Sequence, residues 1–599
     1  MKRIQLFLFL FFFTVFLTVV NIYAQTPKTT PVKQCNALYA QQLVEQQATE
    51  SKSNTETDKR INILIKVADF LWIMDEDSAR GYFAEAFQFA RDKSREKEIE
   101  KPTGSPFLGV QKTNYPFKVI RAVAKRDADW AKKLTETALK DSEEIRKEES
   151  EKANPFEKDR DVQEALGLAN SLAEQNPAAA LYFFRRAMRF PLHRNWYFTL
   201  YQIATKNPQL AEQIYPELLN NYANADVSRL LYLSAYPFAN DRIFGVEKYQ
   251  MGTLIPKNLS PNLNFQKQFL MVLLRRVNTL SPENANVKTN SNLPESAYAF
   301  MALNELEPIV LQQFPEMKEI FLQAKTTAVS LTSPETQESI KKREDSQKNF
   351  SNSFAERLKD IEKSDEEGKL TDLQIVNLAT AAKKEEEFAM AETWLDKIKE
   401  EKVREDTKNY FYFSRSKLAT KEKRYEEARK FAEKVPKIEH RAVLYFDVAE
   451  AKLKAPATKL DSLDSLSEVY KMAQKAPDSV EKAQVLLGLA YMYEKIDHFN
   501  ALDAVSNSIK TANKLENPNL FTDFMMQQIV SKDFGIFIGY SVPGFDISQT
   551  FGELSKNDFQ GAVTQAGSFT DKYLRTLAVL AAVDGCAKTI VKAKPKTVK

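Results

Sequence analysis

The sequence predicts an all-α protein, an α-solenoid of stacked helical hairpins. Only 15 glycines occur in 599 residues, too few for a turn-rich β architecture. Apolar residues recur at helical spacing through most of the chain, and a second-helix signature returns at fixed offsets. Hydrophobic residues at 43% and charged residues at 28% describe a folding chain, and a repeat stack of this length needs no single large core.

Taken in order, Lys2 and Arg3 precede the apolar run Leu6 to Val20, which closes on Ile22-Tyr23-Ala24. This reads as a secretory signal peptide over 1–24, cleaved after Ala24; retention as an anchor is the other reading. Cys35 stands eleven residues beyond Ala24, too far for a lipoprotein cysteine. No later stretch reaches the apolar length of a membrane span, so the mature chain is expected to be exported, periplasmic or extracellular, with no transmembrane segment after signal cleavage. Residues 25–57 read as a flexible leader rich in Thr, Gln, Ser and Lys.

Helical repeats are expected over 58–240. Leu64, Val67, Ala68, Leu71 and Trp72 form one apolar stripe. A capped second helix then recurs: Asp75 before Ala79, Phe83 and Ala86; Asp127 before Ala131, Thr135 and Ala138; Asn176 before Ala180, Phe184 and Ala187; Asn207 before Ala211, Tyr215 and Leu218. The offsets are +4, +8 and +11 each time. Asp and Asn accept from orphan N–H groups at a helix start, and Pro177 and Pro208 fit the first helical position. The small residues let a neighbouring helix approach while the larger one fills the groove. Pro216 falls inside one of these helices and predicts a kink.

Residues 241–332 read as an intermediate helical region and 333–369 as a charged linker or connecting helix. C-terminal repeats with a terminal cap follow over 370–599. There the spacing returns at Ala391, Leu395 and Ile398; at Ala428, Ala432 and Val435; at Ala501, Val505 and Ser508; and at Asp558, Ala562, Ala566 and Phe569. Phe534 to Phe545, with Gly535, Gly539 and Gly544, interrupts the helical texture as a buried loop or a strand-like insertion, expected to pack onto the terminal repeat.

The small-large-small spacing resembles the second helix of the tetratricopeptide repeat. Leu487-Gly488 with Tyr491 resembles that repeat's first helix, and Tyr425-Glu426-Glu427-Ala428 with Pro436 is similar to it too. The resemblance covers about two thirds of the chain and departs in period, since Ala79, Ala131, Ala180 and Ala211 are 52, 49 and 31 residues apart where the family keeps near 34. The whole chain is also similar to exported helical-repeat proteins of unassigned function, a resemblance that brings no active site with it.

Little in the sequence points to chemistry. His193, His440 and His498 are scattered singly, without metal-ligand spacing. There is no nucleophile elbow and no glycine-rich phosphate loop. No catalytic, cofactor-binding or metal residue is assigned, and no cofactor is expected. Cys35 and Cys586 read as two separate thiols, with a bridge between them as the alternative. Trp72, Trp130, Trp196 and Trp394 fit packing between repeats better than carbohydrate platforms, and His193 beside Trp196 is the most site-like cluster. Acidic runs such as Glu385-Glu386-Glu387 read as solvated faces.

A net charge of +4 from 85 basic and 81 acidic residues gives no support for nucleic acid. The expectation is a non-catalytic exported scaffold that binds a protein or peptide on a concave helical surface. The alternative is an envelope polysaccharide- or peptidoglycan-acting enzyme with an acidic cleft.

Overall fold

The computed structural model describes residues 36–54, 56–96, 113–148, 160–240, 243–245, 255–257, 259–285, 293–341, 353–454 and 460–593. The segment 1–24 read as a signal peptide lies outside them. The principal helices are α1 (Ala37–Ser51), α2 (Thr57–Leu71), α3 (Glu76–Arg95), α4 (Tyr115–Ala124), α5 (Ala128–Glu148), α6 (Arg160–Leu172), α7 (Pro177–Ala187), α8 (Asn195–Lys206) and α9 (Pro208–Asn221). They continue as α10 (Leu263–Asn278), α11 (Glu295–Gln313), α12 (Lys318–Leu331), α13 (Phe354–Glu366), α14 (Asp372–Ala381), α15 (Glu385–Glu392), α16 (Glu401–Lys421), α17 (Tyr425–Glu433) and α18 (Ile438–Leu453). After α19 (Ser462–Lys475), α20 (Val480–Tyr493) and α21 (His498–Ala512) come strands β1 (Phe524–Val530) and β2 (Gly535–Ser541), then α22 (Ile547–Asn557), α23 (Phe559–Gly567) and α24 (Lys572–Ala593).

The chain forms two compact units. One is Arg80–Glu356; the other joins the chain's two ends, through Ala79 and from Arg357 onward. In the Arg80–Glu356 unit, α4 pairs with α5, α6 with α7 and α8 with α9, while α4, α6 and α8 touch in succession as the first helices of their hairpins. The caps sit where the signature puts them. Asp127 Oδ1 accepts from the Trp130 N–H at 2.9 Å, Asn176 Oδ1 from Ala179 at 3.0 Å and Asn207 Oδ1 from Leu210 at 3.0 Å. Ala180, Phe184 and Ala187, like Ala211, Tyr215 and Leu218, are buried against their neighbours. Pro216 lies inside α9, which runs on to Asn221, although proline offers no N–H to the Glu212 carbonyl one turn back.

In the other unit the first helices are α14, α16, α18, α20, α22 and α24, each touching the next, with α15, α17, α19, α21 and α23 as their hairpin partners. Asp497 and Asp558 cap α21 and α23. At the Ala391 copy the helix stops at Glu392, so Leu395 opens a 3₁₀ turn and Ile398 closes it. Gly488 on α20 lets the Phe446 and Phe545 rings close in, where a Cβ would stand 2.8 and 2.7 Å from them.

Three expectations need correction. The leader read over 25–57 holds α1, whose Ala40, Val44 and Ala48 are buried; α1 packs on both α2 and α24. This hairpin therefore belongs with the C-terminal repeats, across the sequence division at 58–240 and 370–599. The buried stripe of α1, Ala40, Val44 and Ala48, is narrow and set among Gln and Glu, which hid it from a periodicity reading. The buried Cys586 is disulfide-bonded rather than a separate thiol; Cys35 lies outside the described residues. The glycine-bearing interruption takes its strand-like form, as the second strand of an antiparallel hairpin in which Met525 faces Tyr540, Gln527 faces Ile538 and Ile529 faces Ile536, but it packs on α16 and α18 rather than on the terminal repeat.

Candidate functional site

The β-hairpin defines the most structured candidate. It is inserted between α21 and α22, where other hairpins in this unit connect through a few residues. Its neck is closed on itself: Ile547 N–H donates to the Leu520 carbonyl at 2.8 Å and Val542 N–H to Asp523 at 2.7 Å. From that neck it lies along the first helices. Phe545 meets Phe446 of α18 edge-on at 6.3 Å. Tyr540 packs on Phe413 of α16 and His440 of α18, at 5.1 and 6.1 Å. Further along, Ile529 joins Ile375, Val376, Ile398 and Val403 in one apolar cluster, and Ser531 Oγ donates to Glu400 at 3.0 Å. Strand alternation aims Met525, Gln527 and Ile529 at the helices, and these three are buried.

A buried polar group sits in the middle of this face. His440 is 2% exposed. Asn409 Nδ2 approaches its Nδ1 at 2.7 Å and Gln527 Nε2 the same nitrogen at 3.5 Å. The other ring nitrogen, Nε2, stands 3.9 Å from Glu439. Burial, with the Lys437 charge adding, lowers the imidazole to about 4, and burial also raises Glu439 and the Tyr540 hydroxyl. Asn409 Oδ1 is buried without a partner at hydrogen-bond geometry, and the Gln527 side chain also interacts with the Tyr540 hydroxyl. The sequence reading found the glycines here but not the partners, which lie on three elements far apart in the chain; the alternation Met525, Gln527, Ile529 was the available signal.

In the Arg80–Glu356 unit the first helices are laced by polar side chains. Arg121 on α4 pairs with Glu164 on α6, whose carboxyl burial raises above the usual range. Asn170 Nδ2 donates to Gln202 on α8 at 2.5 Å, and Lys206 reaches the Asn170 carbonyl at 3.0 Å. Gln202 and Lys206 are exposed; Asn170 and Glu164 are half-buried. His193 lies at this face: its Nδ1 accepts the Asn195 N–H at 3.0 Å and its Nε2 is 3.4 Å from the Gln163 amide. Trp196 next to it is fully buried against Phe184. Trp130 packs edge-on to Phe83 beneath Arg80, and Trp394 stacks under Lys397 in the other unit. The rings of Trp130, Trp196 and Trp394 are each engaged in packing.

Each unit also carries a surface cavity. One, about 470 Å³, opens over Tyr236 and Phe265 with Glu212 at its rim. The other, about 500 Å³, lies where α1 and α2 meet α24, with Lys59, Tyr573 and Arg575 among its walls. His498 faces carboxylates on both sides, Glu494 at 2.7 Å and Asp558 at 3.7 Å, and ties the α20–α21 turn to the start of α23. Among the described residues no group of three or more metal-ligating side chains occurs, and no helix is long and apolar enough to cross a membrane.

No protein-family model matches the chain, and no curated protein matches it. Among solved structures, one titled "Circular tandem repeat protein with novel repeat topology and enhanced subunit contact surfaces" is similar over 93% of this chain and 97% of its own, at 11% identity with a TM-score of 0.11. That likeness is too slight to carry an argument.

Proposed function

We propose that this chain is an exported, non-catalytic helical-repeat protein that binds extended segments of other proteins on the faces of its stacked first helices. The observation that carries the reading is the hairpin itself: the face of α16 and α18 accommodates an extended segment along successive repeats. Stacked helices present side chains at regular spacing to a chain lying across them, and solenoids use such faces for recognition. The corresponding face of α6 and α8 offers Asn170, Gln202 and Lys206. Side-chain amides there suit an extended main chain, which needs a donor and an acceptor at alternate residues. The apolar N-terminal run and a disulfide at Cys586 support an oxidising compartment.

The test is an array of overlapping peptides from exported proteins, probed with the chain and with an Asn170→Ala/Gln202→Ala variant. The chain is expected to retain a subset of peptides and the variant to bind them about tenfold more weakly, the loss of one or two hydrogen bonds. No retained peptides, or equal binding by both proteins, would sink the reading.

A further inference from the structure

We infer that the hairpin Phe524–Ser541 is a replaceable occupant of its groove: an extended segment of another protein, with apolar side chains alternating around a central amide, takes its place over His440. The inference rests on the reading that first-helix faces take protein segments, and it adds that one such face is held shut by the chain itself.

Four observations lead there. The first is that the repeats do not need the insertion. α22 touches both α20 and α24 directly, and the neck is closed by the Leu520–Ile547 and Asp523–Val542 hydrogen bonds, so the helices on either side are joined beneath the hairpin. The second is that the contact is built as a ligand site is built. Met525, Gln527 and Ile529 enter from one strand at alternate positions: Met525 is buried, the central amide meets His440 and Ile529 joins an apolar cluster. That is how an added strand is read: alternate side chains in pockets.

The third is that the fit is incomplete. Asn409 and Gln527 both reach the single nitrogen His440 Nδ1, at 2.7 and 3.5 Å. One ring nitrogen serves one close partner, so the hairpin's own amide is held loosely at its centre and a better-placed one would be held more tightly. The fourth is that the hairpin has only two strands, and an isolated two-stranded hairpin is marginal without the surface it lies on. Leaving the groove therefore costs the hairpin its own order, which sets a threshold that only a better-fitting segment overcomes.

His440 is the natural discriminator within the groove. Held neutral by burial, it offers no positive charge to an acid, and Glu439 stands 3.9 Å from its Nε2. A carboxylate at the Gln527 position would be buried beside another carboxyl group and is excluded, whereas an amide is accepted.

The experiment compares the intact chain with a variant in which residues 525–540 are replaced by an Asn-Gly turn, which suits the paired flanks Phe524 and Ser541. A fluorescent peptide of residues 524–541 is the probe, with a Gln527→Glu version as its control. The excised chain is expected to bind the probe, the intact chain to bind it at least about tenfold more weakly because its groove is filled, and the control to bind neither. A folded excised chain that ignores the probe overturns the inference. Hydrogen exchange on the intact chain decides the matter even if excision prevents folding. Hairpin amides are expected to exchange at least about tenfold faster than those of α16; exchange of both at one rate, by one opening, would make the hairpin a fixed part of the core. The Asn170 face serves as a separate control, since peptide binding lost there with probe binding retained here sinks only the broader reading.

Discussion

At the scale of single residues, His440 sets the most specific expectation. Its ring sits under Phe413 and Tyr540 with Asn409, Gln527, Glu439 and Lys437 around it, and it stays neutral in the fold with its pKa lowered to about 4. The unfolded chain protonates it near the ordinary value of about 6.5. Acidification between those values therefore adds a proton to the unfolded state alone, so the contribution is whole above about pH 6.5 and is lost as pH falls toward 4. Denaturant titrations across this window should show the natural chain losing up to about 1.4 kcal/mol per pH unit more than a His440→Gln variant, which keeps an acceptor but cannot titrate there. Parallel pH profiles would show that the ring is not held neutral. The residues legible from sequence were those whose role is local: Asp127, Asn176 and Asn207 announce themselves because each bonds a backbone N–H three residues on. His440 is bound by residues 31 and 87 positions away, and no window of sequence contains that relation.

Between elements, helix spacing is governed by what stands at the crossing. α22 and α24 approach through Gly552 and Gly585, and a Cβ on Gly585 would lie 2.1 Å from the Gly552 carbonyl oxygen and 2.3 Å from Ser555 Oγ. Backbone cannot yield as a flexible side chain does, so Gly585→Ala must push the helices apart, at a cost of about 1–3 kcal/mol. Gly167, inside α6, has nothing within 4 Å of its would-be Cβ, and Gly167→Ala should stabilise by about 0.5–1 kcal/mol by removing backbone freedom from the unfolded chain. Chemical denaturation of both variants tests the pair; two shifts of the same sign would contradict the crossing geometry. Helix recognition from sequence succeeded where small and large apolar residues alternate at helical spacing, as along Ala180, Phe184 and Ala187. It failed for α1, where Ala40, Val44 and Ala48 form a stripe too narrow to stand out among Gln and Glu. It left the hairpin half seen, because Met525, Gln527 and Ile529 make a period-two pattern whose apolar run is broken by a buried amide.

For the whole molecule, chain order and compactness part company. The C-terminal repeats are completed by the chain's beginning: Tyr39 on α1 meets Phe559 edge-on, Asn62 on α2 donates to the Tyr573 hydroxyl at 3.1 Å, and Lys59 stands over the same ring at 5.4 Å. Pairings across more than 500 residues, such as Asn62 with Tyr573, leave no periodic trace, which is why a reading along the chain placed the first helices with their sequence neighbours. The consequence is physical. A terminal repeat needs something to cover its outer face, and here α1 and α2 cover α24. A fragment of residues 357–599 should therefore expose the α24 face, bind a hydrophobic dye and melt below the intact chain's transition. Residues 36–79 added in trans should suppress the dye signal and raise the melting temperature with the logarithm of their concentration above the dissociation constant, as a ligand of the folded state does. Residues 80–356, the other compact unit, should fold when expressed separately. A 357–599 fragment that melts at the same temperature with and without 36–79 would mean that the first two helices decorate the C-terminal repeats without helping to hold them together.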